Sequence, residues 1–94
     1  MPSPYDAEAF EWDDANESEL ARHRIGPSEV EQVFSSDPLF VRNKRNAAGD
    51  RKMIGRTAGG RVLTIVVRWQ QESRSLRPIT GWDCTEGERN RYLK

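Results

Sequence analysis

Basic side chains occur within the most strand-like stretch of the chain, and their chemistry suits an anionic ligand. RKMIGRTAGGRVLTIVVRW, residues 51–69, contains four arginines and one lysine among apolar side chains. Guanidinium groups bind phosphodiesters through charge and forked hydrogen bonds, and they stabilise charge that develops on phosphorus during strand scission. The attacking group would then be the 2′-hydroxyl of RNA itself, so no metal is required. The alternative is that these charges only keep an open sheet face hydrated.

The candidate anion-binding centre consists of Arg56, Arg68 and Arg77, which lie on neighbouring predicted strands. Arg51 and Lys52 lie at the start of the same strand as Arg56, so they would form the margin of the centre. Several cations on one sheet face would bind an RNA backbone.

The only histidine, His23, is the candidate general acid or base near neutral pH. It follows Leu20 at the end of a predicted helix, where a histidine can instead cap carbonyl groups. A nucleophilic pair of Cys84 and His23 is conceivable, but Cys84 has no evident orienting partner. One histidine and one cysteine without ligand spacing predict no zinc site, and no cofactor is expected.

Capping and turn signals place these residues on an α+β fold. Pro27 suits the first position of a helix, and Thr85 with Glu88 three residues later is typical of a helix start. The expected elements are two N-terminal helices at about 13–24 and 27–35, three or four antiparallel strands between 39 and 82, and a C-terminal helix from about 85.

The strand RVLTIVVRW, residues 61–69, is expected to be central in the sheet. Ala58-Gly59-Gly60 predicts a hairpin that joins it to the preceding strand. Pro78 indicates an edge or a bulge in the following strand, because proline has no N–H for the ladder. The residues expected to be buried are Leu20, Val33, Phe34, Val62, Leu63, Ile65 and Val67.

Length and charge predict one small domain with two surfaces of opposite sign. The 94 residues suffice for a single domain over 1–94, with 1–9 as a loose leader. Residues 1–34 contain nine carboxylates and two arginines, a net charge of −7. Residues 35–94 contain thirteen basic and six acidic side chains, a net charge of +7. An acidic helical layer and a basic sheet would produce this asymmetry.

The sequence favours a cytoplasmic location. The N-terminal segment MPSPYDAEAFEWDD is acidic and has no basic segment followed by an apolar one, so no signal peptide is predicted. No apolar run approaches the roughly 20 residues that a membrane span needs. Cys84 is the only cysteine, which excludes an internal disulfide and suits a reducing compartment.

Four segments in order resemble the BrnT family of small toxins. FEWDDANESELARHRI is similar to the opening of those proteins, EVEQVFSSDPL to their E-A-x-x-V-F-x-D-P, and MIGRTAGGRVLTIVV to their L-I-G-R-S-x-x-G-R-L-L-x-V-V. LRPITGWDCTEGERNRYLK occupies the place of their I-R-I-I-S-A-R-x-A-T-x-x-E-R-x-x-Y. The resemblance covers residues 10–93. No single segment is specific, but four in sequence are.

The resemblance implies a ribonuclease toxin of a type II toxin–antitoxin module, with a RelE-like fold of helices on a small antiparallel sheet. A BrnA-like antitoxin with a ribbon-helix-helix DNA-binding domain would neutralise it, and operator DNA would be bound only through that complex. The matched positions include His23, Arg56, Arg77, Glu88, Arg89 and Tyr92. The alternatives are a module of the same fold that binds without cleaving, and an unrelated adaptor with a basic face.

One departure from the family pattern concerns a basic residue implicated in RNA cleavage. Thr80-Gly81-Trp82 stands where the family has Ser-Ala-Arg, so an indole replaces a guanidinium. Trp82 either stacks on an RNA base or closes the core. Either Arg51 and Arg68 compensate for the lost arginine, or this branch has kept the fold and lost strong activity.

Overall fold

The computed structural model describes residues 2–44 and 48–93, which form three helices and a five-stranded sheet. The helices are α1 (Asp14–Ala21), α2 (Pro27–Ser35) and α3 (Glu86–Tyr92). The strands are β1 (Ala9–Phe10), β2 (Leu39–Arg42), β3 (Arg51–Arg56), β4 (Val62–Gln70) and β5 (Ser75–Asp83). Their order across the sheet is β1-β5-β4-β3-β2.

The α+β fold predicted from the sequence is confirmed, although the sheet has one strand more than expected. β2 through β5 pair antiparallel, whereas the two-residue β1 pairs parallel with the start of β5. A strand of two residues has no alternation that a sequence pattern can detect. The sheet is therefore mixed, but only at one short edge.

Helix α1 ends three residues earlier than predicted, in a Schellman motif. The N–H of Ile25 donates to the carbonyl of Leu20, and the N–H of Arg24 donates to that of Ala21. Leu20 and Ile25 are both buried, which provides the apolar contact typical of this motif. Arg24 has a φ of 60°, the left-handed conformation that glycine usually occupies. An arginine at that position conceals the helix end from sequence analysis.

The two faces of the sheet bury separate apolar clusters. The inner face, defined as the one against α1 and α2, carries Leu63, Ile65 and Val67. The outer face, defined as the one against α3, buries Ile54 and Val62 with Cys84. All the residues predicted to be buried are buried except Phe34, which is only partly buried against the inner cluster.

Strand β5 contains the irregularity that Pro78 predicts. Val67 pairs with Pro78 and Val66 pairs with Thr80, which leaves Ile79 as the extra residue of a bulge. The β1 partner strand ends before this point, so Pro78 also faces an open edge. The buried Asn16 of α1 closes that edge by donating from Nδ2 to the Pro78 carbonyl at 2.9 Å.

The segment predicted as a loose leader contains a 3₁₀ turn at Pro4–Asp6 that contacts the far edge of the sheet. The Tyr5 hydroxyl accepts a hydrogen bond from the Phe40 N–H at 3.0 Å. The Tyr5 ring packs edge-on against that of Phe40, with 4.8 Å between centroids. This contact uses a backbone N–H on the exposed edge of β2. Without the contact, that N–H would be free to pair with another strand.

Candidate nucleic-acid interface

The predicted cations do not all lie on the same face of the sheet. Lys52 pairs with Val66 and Arg56 with Val62, so both point to the outer face. Arg68 and Arg77 lie directly opposite each other on β4 and β5, on the same face. Arg51 pairs with the inner-face residue Val67, so it points to the other side and bonds the Asp50 carboxylate.

Arg56 and Arg68 lie at opposite ends of the outer face. Val62, the partner of Arg56, is six residues from Arg68 along β4, a separation of roughly 20 Å at strand spacing. The C-terminal residues Tyr92 and Leu93 pack on the cluster that contains Val62, near the Arg56 end. The predicted centre is therefore divided, and one phosphate cannot contact both guanidinium groups.

Arg77 is neutralised within the chain. Its Nη1 is 3.1 Å from Glu11 Oε1, and its Nη2 is 2.8 Å from Asp13 Oδ2. The pKa of Arg77 is raised, chiefly by the Asp13 hydrogen bond. The pKa of Asp13 is lowered, first by the hydrogen bond from the Asn16 backbone and then by Arg77. The forked guanidinium of Arg77 is thus committed to two carboxylates at the start of α1.

Arg68 retains its charge for an external ligand. Its side chain is exposed, and within residues 2–44 and 48–93 it has no carboxylate partner; Nη2 donates to the Ala48 carbonyl at 2.5 Å. Asn43 Nδ2 donates to the Gly49 carbonyl at 2.9 Å, which holds the same loop from the other side. These bonds position the loop at residues 48–50 beside the outer face.

A cleft of about 450 Å³ opens on the outer face between this loop and β5. Gly49 lies directly against Val66, since a Cβ at Gly49 would come within 2.5 Å of Val66 Cγ1. Trp82 lines the cleft from β5 together with Thr80. The complete lining consists of Asn43, Lys44, Ala48, Gly49, Lys52, Val66, Ile79, Thr80 and Trp82.

Glu88 of α3 fixes the orientation of the Trp82 indole. Its Oε1 accepts hydrogen bonds from Trp82 Nε1 at 3.0 Å, from Thr64 Oγ1 at 3.1 Å and from the Thr85 N–H at 2.9 Å. Burial raises the pKa of the Glu88 carboxyl, but these hydrogen bonds outweigh burial, and the net shift is downward. Lys52 Nζ lies 4.0 Å from Glu88 Oε2 and 5.9 Å from the centroid of the Trp82 ring.

His23 lies beyond the cleft, in the turn after α1. Its Nε2 is 3.3 Å from Glu19 Oε2, and the same oxygen accepts the Thr80 hydroxyl at 2.8 Å. The Glu19 carboxylate therefore lies between the imidazole and Thr80 of the cleft lining. Its connection to the cleft is through Glu19 and Thr80.

Sequence reasoning missed Arg61, the most extensively bonded cation of the chain region described. Its Nε and Nη2 bind both oxygens of Asp83, at 2.7 and 3.1 Å. Its Nη1 reaches Glu29 Oε1 at 3.1 Å and the Arg24 carbonyl at 2.7 Å. The pKa of Arg61 is raised, first by the Asp83 hydrogen bond. These partners come from two parts of the chain, each more than 20 residues from Arg61, so no local pattern could have revealed the cluster.

Comparisons with known proteins give no family assignment. No protein-family model matches the chain, and no curated protein matches it. Among residues 2–44 and 48–93, no helix is long and apolar enough to cross a membrane. The same residues contain no group of three or more histidine, cysteine, aspartate or glutamate side chains arranged to hold a metal ion.

Proposed function

We propose that this chain is the toxin of a type II toxin–antitoxin module, a metal-independent ribonuclease that acts on RNA in the cytoplasm. Two independent lines support the proposal. The sequence resembles BrnT toxins over residues 10–93, and the outer face carries cations beside an open cleft. The proposal depends on the contacts of Arg68, because its guanidinium bonds Ala48 of the cleft lining and has no carboxylate partner among the described residues.

Arg68, Lys52 and Lys44 would contact the RNA backbone in this proposal. Lys52 and Lys44 line the cleft, and Arg68 holds the loop that forms one of its walls. A forked guanidinium can bind two phosphate oxygens and stabilise the additional charge that forms on them as the 2′-hydroxyl attacks. Arg56, at the other end of β3, would contact a more distant part of the strand.

A binding module without strong cleavage is the second candidate, and one observation favours it. Arg77 is already paired with Glu11 and Asp13, and the His23 imidazole is paired with Glu19. Arg68 is then the one guanidinium of the predicted centre that contacts the cleft lining, through Ala48, and lacks a carboxylate partner within the residues that the structure describes. Binding needs only charge, whereas efficient cleavage usually also needs a positioned acid or base.

A BrnA-like antitoxin would inhibit the protein by covering the same cations. A carboxylate-rich segment of that partner would occupy Arg68 and Lys52 and exclude RNA by charge competition. Operator DNA would be bound by the antitoxin's ribbon-helix-helix domain within the complex. The isolated protein should accordingly gain thermal stability when the antitoxin is added.

The decisive experiment compares three arginine-to-lysine variants, each of which keeps the charge and removes the fork. Each variant is expressed without an antitoxin to score growth arrest, and RNA cleavage is then measured with purified protein in the presence of a chelator. For Arg68→Lys we expect cleavage to fall on the order of 10²-fold. Arg77→Lys should lower stability more than cleavage, because its fork binds Glu11 and Asp13.

Arg22→Lys is the matched control, since Arg22 is exposed directly after α1 and pairs only with Glu19, three residues earlier, in the described residues. If wild type neither arrests growth nor cleaves RNA but still binds it, the binding module is the correct function. If Arg68→Lys leaves cleavage and RNA affinity both unchanged, the outer face is not the RNA site.

A further inference from the structure

The cleft on the outer face has the volume and lining of a site for an aromatic group. Its lining includes the apolar side chains of Val66 and Ile79. The indole of Trp82 lines it from β5, and Ala48 and Gly49 line it from the loop at residues 48–50. Its volume, about 450 Å³, falls within the range of roughly 300–1,000 Å³ typical of small-molecule sites.

We propose that this cleft binds one unpaired nucleobase, stacked on Trp82 while Lys52 and Lys44 contact the flanking phosphates. The inference rests on the proposed function, and it adds the substrate class: single-stranded RNA with at least one base turned out of any helix. Stacking on an aromatic side chain contributes about 1–3 kcal/mol per base and needs no particular base sequence.

The indole is held ready for stacking before a ligand arrives. The Nε1–H donates to Glu88, so rotation of the ring would break a hydrogen bond to a partly buried carboxylate. Gly81, the residue before Trp82, allows the close approach of β5 to the sheet, since a Cβ there would lie 2.8 Å from Ile65 Cδ1. A site that is already ordered costs less conformational entropy on binding.

The lining favours a base over a bare phosphate or a peptide carboxylate. A phosphate alone would leave the apolar lining residues Val66 and Ile79 beside a charged group, which is unfavourable. Asn43 and Thr80 carry the polar groups that could contact the edge of a base. A base in a duplex presents its ring faces to its neighbours and not to a protein cleft, so the site selects single strands.

The test measures equilibrium binding of a 2′-O-methyl RNA hexamer, which cannot be cleaved because it has no free 2′-hydroxyl. For Trp82→Leu we expect affinity to fall on the order of 10-fold, with Trp82→Phe intermediate. The slope of log affinity against log salt should stay the same in Trp82→Leu, because no phosphate contact is lost. Trp12→Leu is the matched control, since Trp12 bonds Glu31 and packs against the inner cluster.

A second measurement uses wild-type protein alone and does not depend on how the variants fold. A hexamer with the same backbone but no bases should bind on the order of 10-fold more weakly than the complete hexamer. Equal affinity for the two oligomers, or an unchanged affinity in folded Trp82→Leu, would overturn the base site. If Arg68→Lys still weakens binding in that case, the outer face remains the RNA-binding surface although the cleft does not bind a base.

If the wild-type protein binds neither oligomer, the proposed function fails as well, and the base site fails with it. Polyglutamate is the remaining probe. Competition by polyglutamate that depends on Trp82 would assign the cleft to an acidic partner segment and would contradict a nucleobase site.

Discussion

Glu88 illustrates how a single side chain connects a helix to the sheet and orients a candidate site residue. It completes the capping box of α3 with Thr85 and at the same time accepts hydrogen bonds from Thr64 and Trp82. The three donors keep their acceptor while the carboxyl group is ionised. A protonated carboxyl group keeps them only if its carbonyl oxygen still points toward them. The downward shift of its pKa is therefore a stability contribution, which depends on pH.

For Glu88→Gln we expect a loss of about 1–2 kcal/mol in the free energy of unfolding at pH 7. The pKa of Glu88 is lower in the folded protein, so its contribution is complete above the unfolded value of about 4.3 and is lost as pH falls through the folded value. Wild type and variant should accordingly converge in stability at low pH. Urea denaturation at several pH values between about 3 and 7 would measure this.

The matched control for that prediction is Glu86→Gln, in the same first turn of α3. Glu86 is exposed and has no hydrogen-bond partner among the described residues. Its replacement by glutamine removes the same charge near the helix start as Glu88→Gln does. We expect it to change stability by no more than about 0.5 kcal/mol. An equal loss in both variants would assign the effect to the helix dipole and not to the hydrogen bonds of Glu88.

Strand β5 contributes side chains to both faces of the sheet. Its distance from β4 and α1 depends on Gly81. A Cβ at Gly81 would lie 3.0 Å from the Thr64 carbonyl oxygen and 3.2 Å from Leu20 Cδ2. The carbonyl belongs to the adjacent strand and cannot rotate away. α1, β4 and β5 thus approach one another more closely than an alanine would allow.

For Gly81→Ala we expect a destabilisation of about 1–3 kcal/mol, the usual cost of overpacking a filled core. The control is Gly87→Ala within α3, where the nearest atom to a Cβ would be 3.9 Å away. Alanine in that helical position should stabilise the protein by roughly 0.5–1 kcal/mol. Thermal unfolding of both variants checks the prediction, and a Gly81→Ala variant as stable as wild type would show that β5 can shift.

At the element scale the sequence predicted which helices and main strands form, because each has a local signal. Pro27 begins α2, Gly60 has a φ of 88° in the predicted hairpin, and Pro78 marks the bulge. The division of the cations was not predictable. Whether Arg56 and Arg68 meet depends on strand register and on the place where α3 packs, and whether Arg77 is free depends on a carboxylate 66 residues away.

Across the whole molecule, the acidic segment 1–34 neutralises part of the basic segment 35–94. Arg77 pairs with Glu11 and Asp13, Arg61 with Glu29, and Arg74 with Glu8. The 15 acidic side chains of the chain equal its 15 basic ones in number, and these ion pairs bring some of the two together. Arg68 and Lys44 have no carboxylate partner in the described chain; Lys44 lines the cleft, and Arg68 bonds the Ala48 carbonyl in the cleft lining.

This internal neutralisation predicts that one acidic residue restrains RNA binding. For Glu11→Gln we expect tighter binding of the 2′-O-methyl hexamer, because Arg77 lies opposite Arg68 on the outer face and would gain a free N–H pair. The plot of log affinity against log salt should steepen by up to about 0.7, the value for one added phosphate contact on a single strand.

The control is Glu8→Gln, which changes the net charge equally but frees Arg74, a residue in the turn after β4. The two variants differ only in which arginine they release. A steeper slope in Glu11→Gln alone would place Arg77 at the RNA face, whereas equal steepening in both would mean that only the net charge matters.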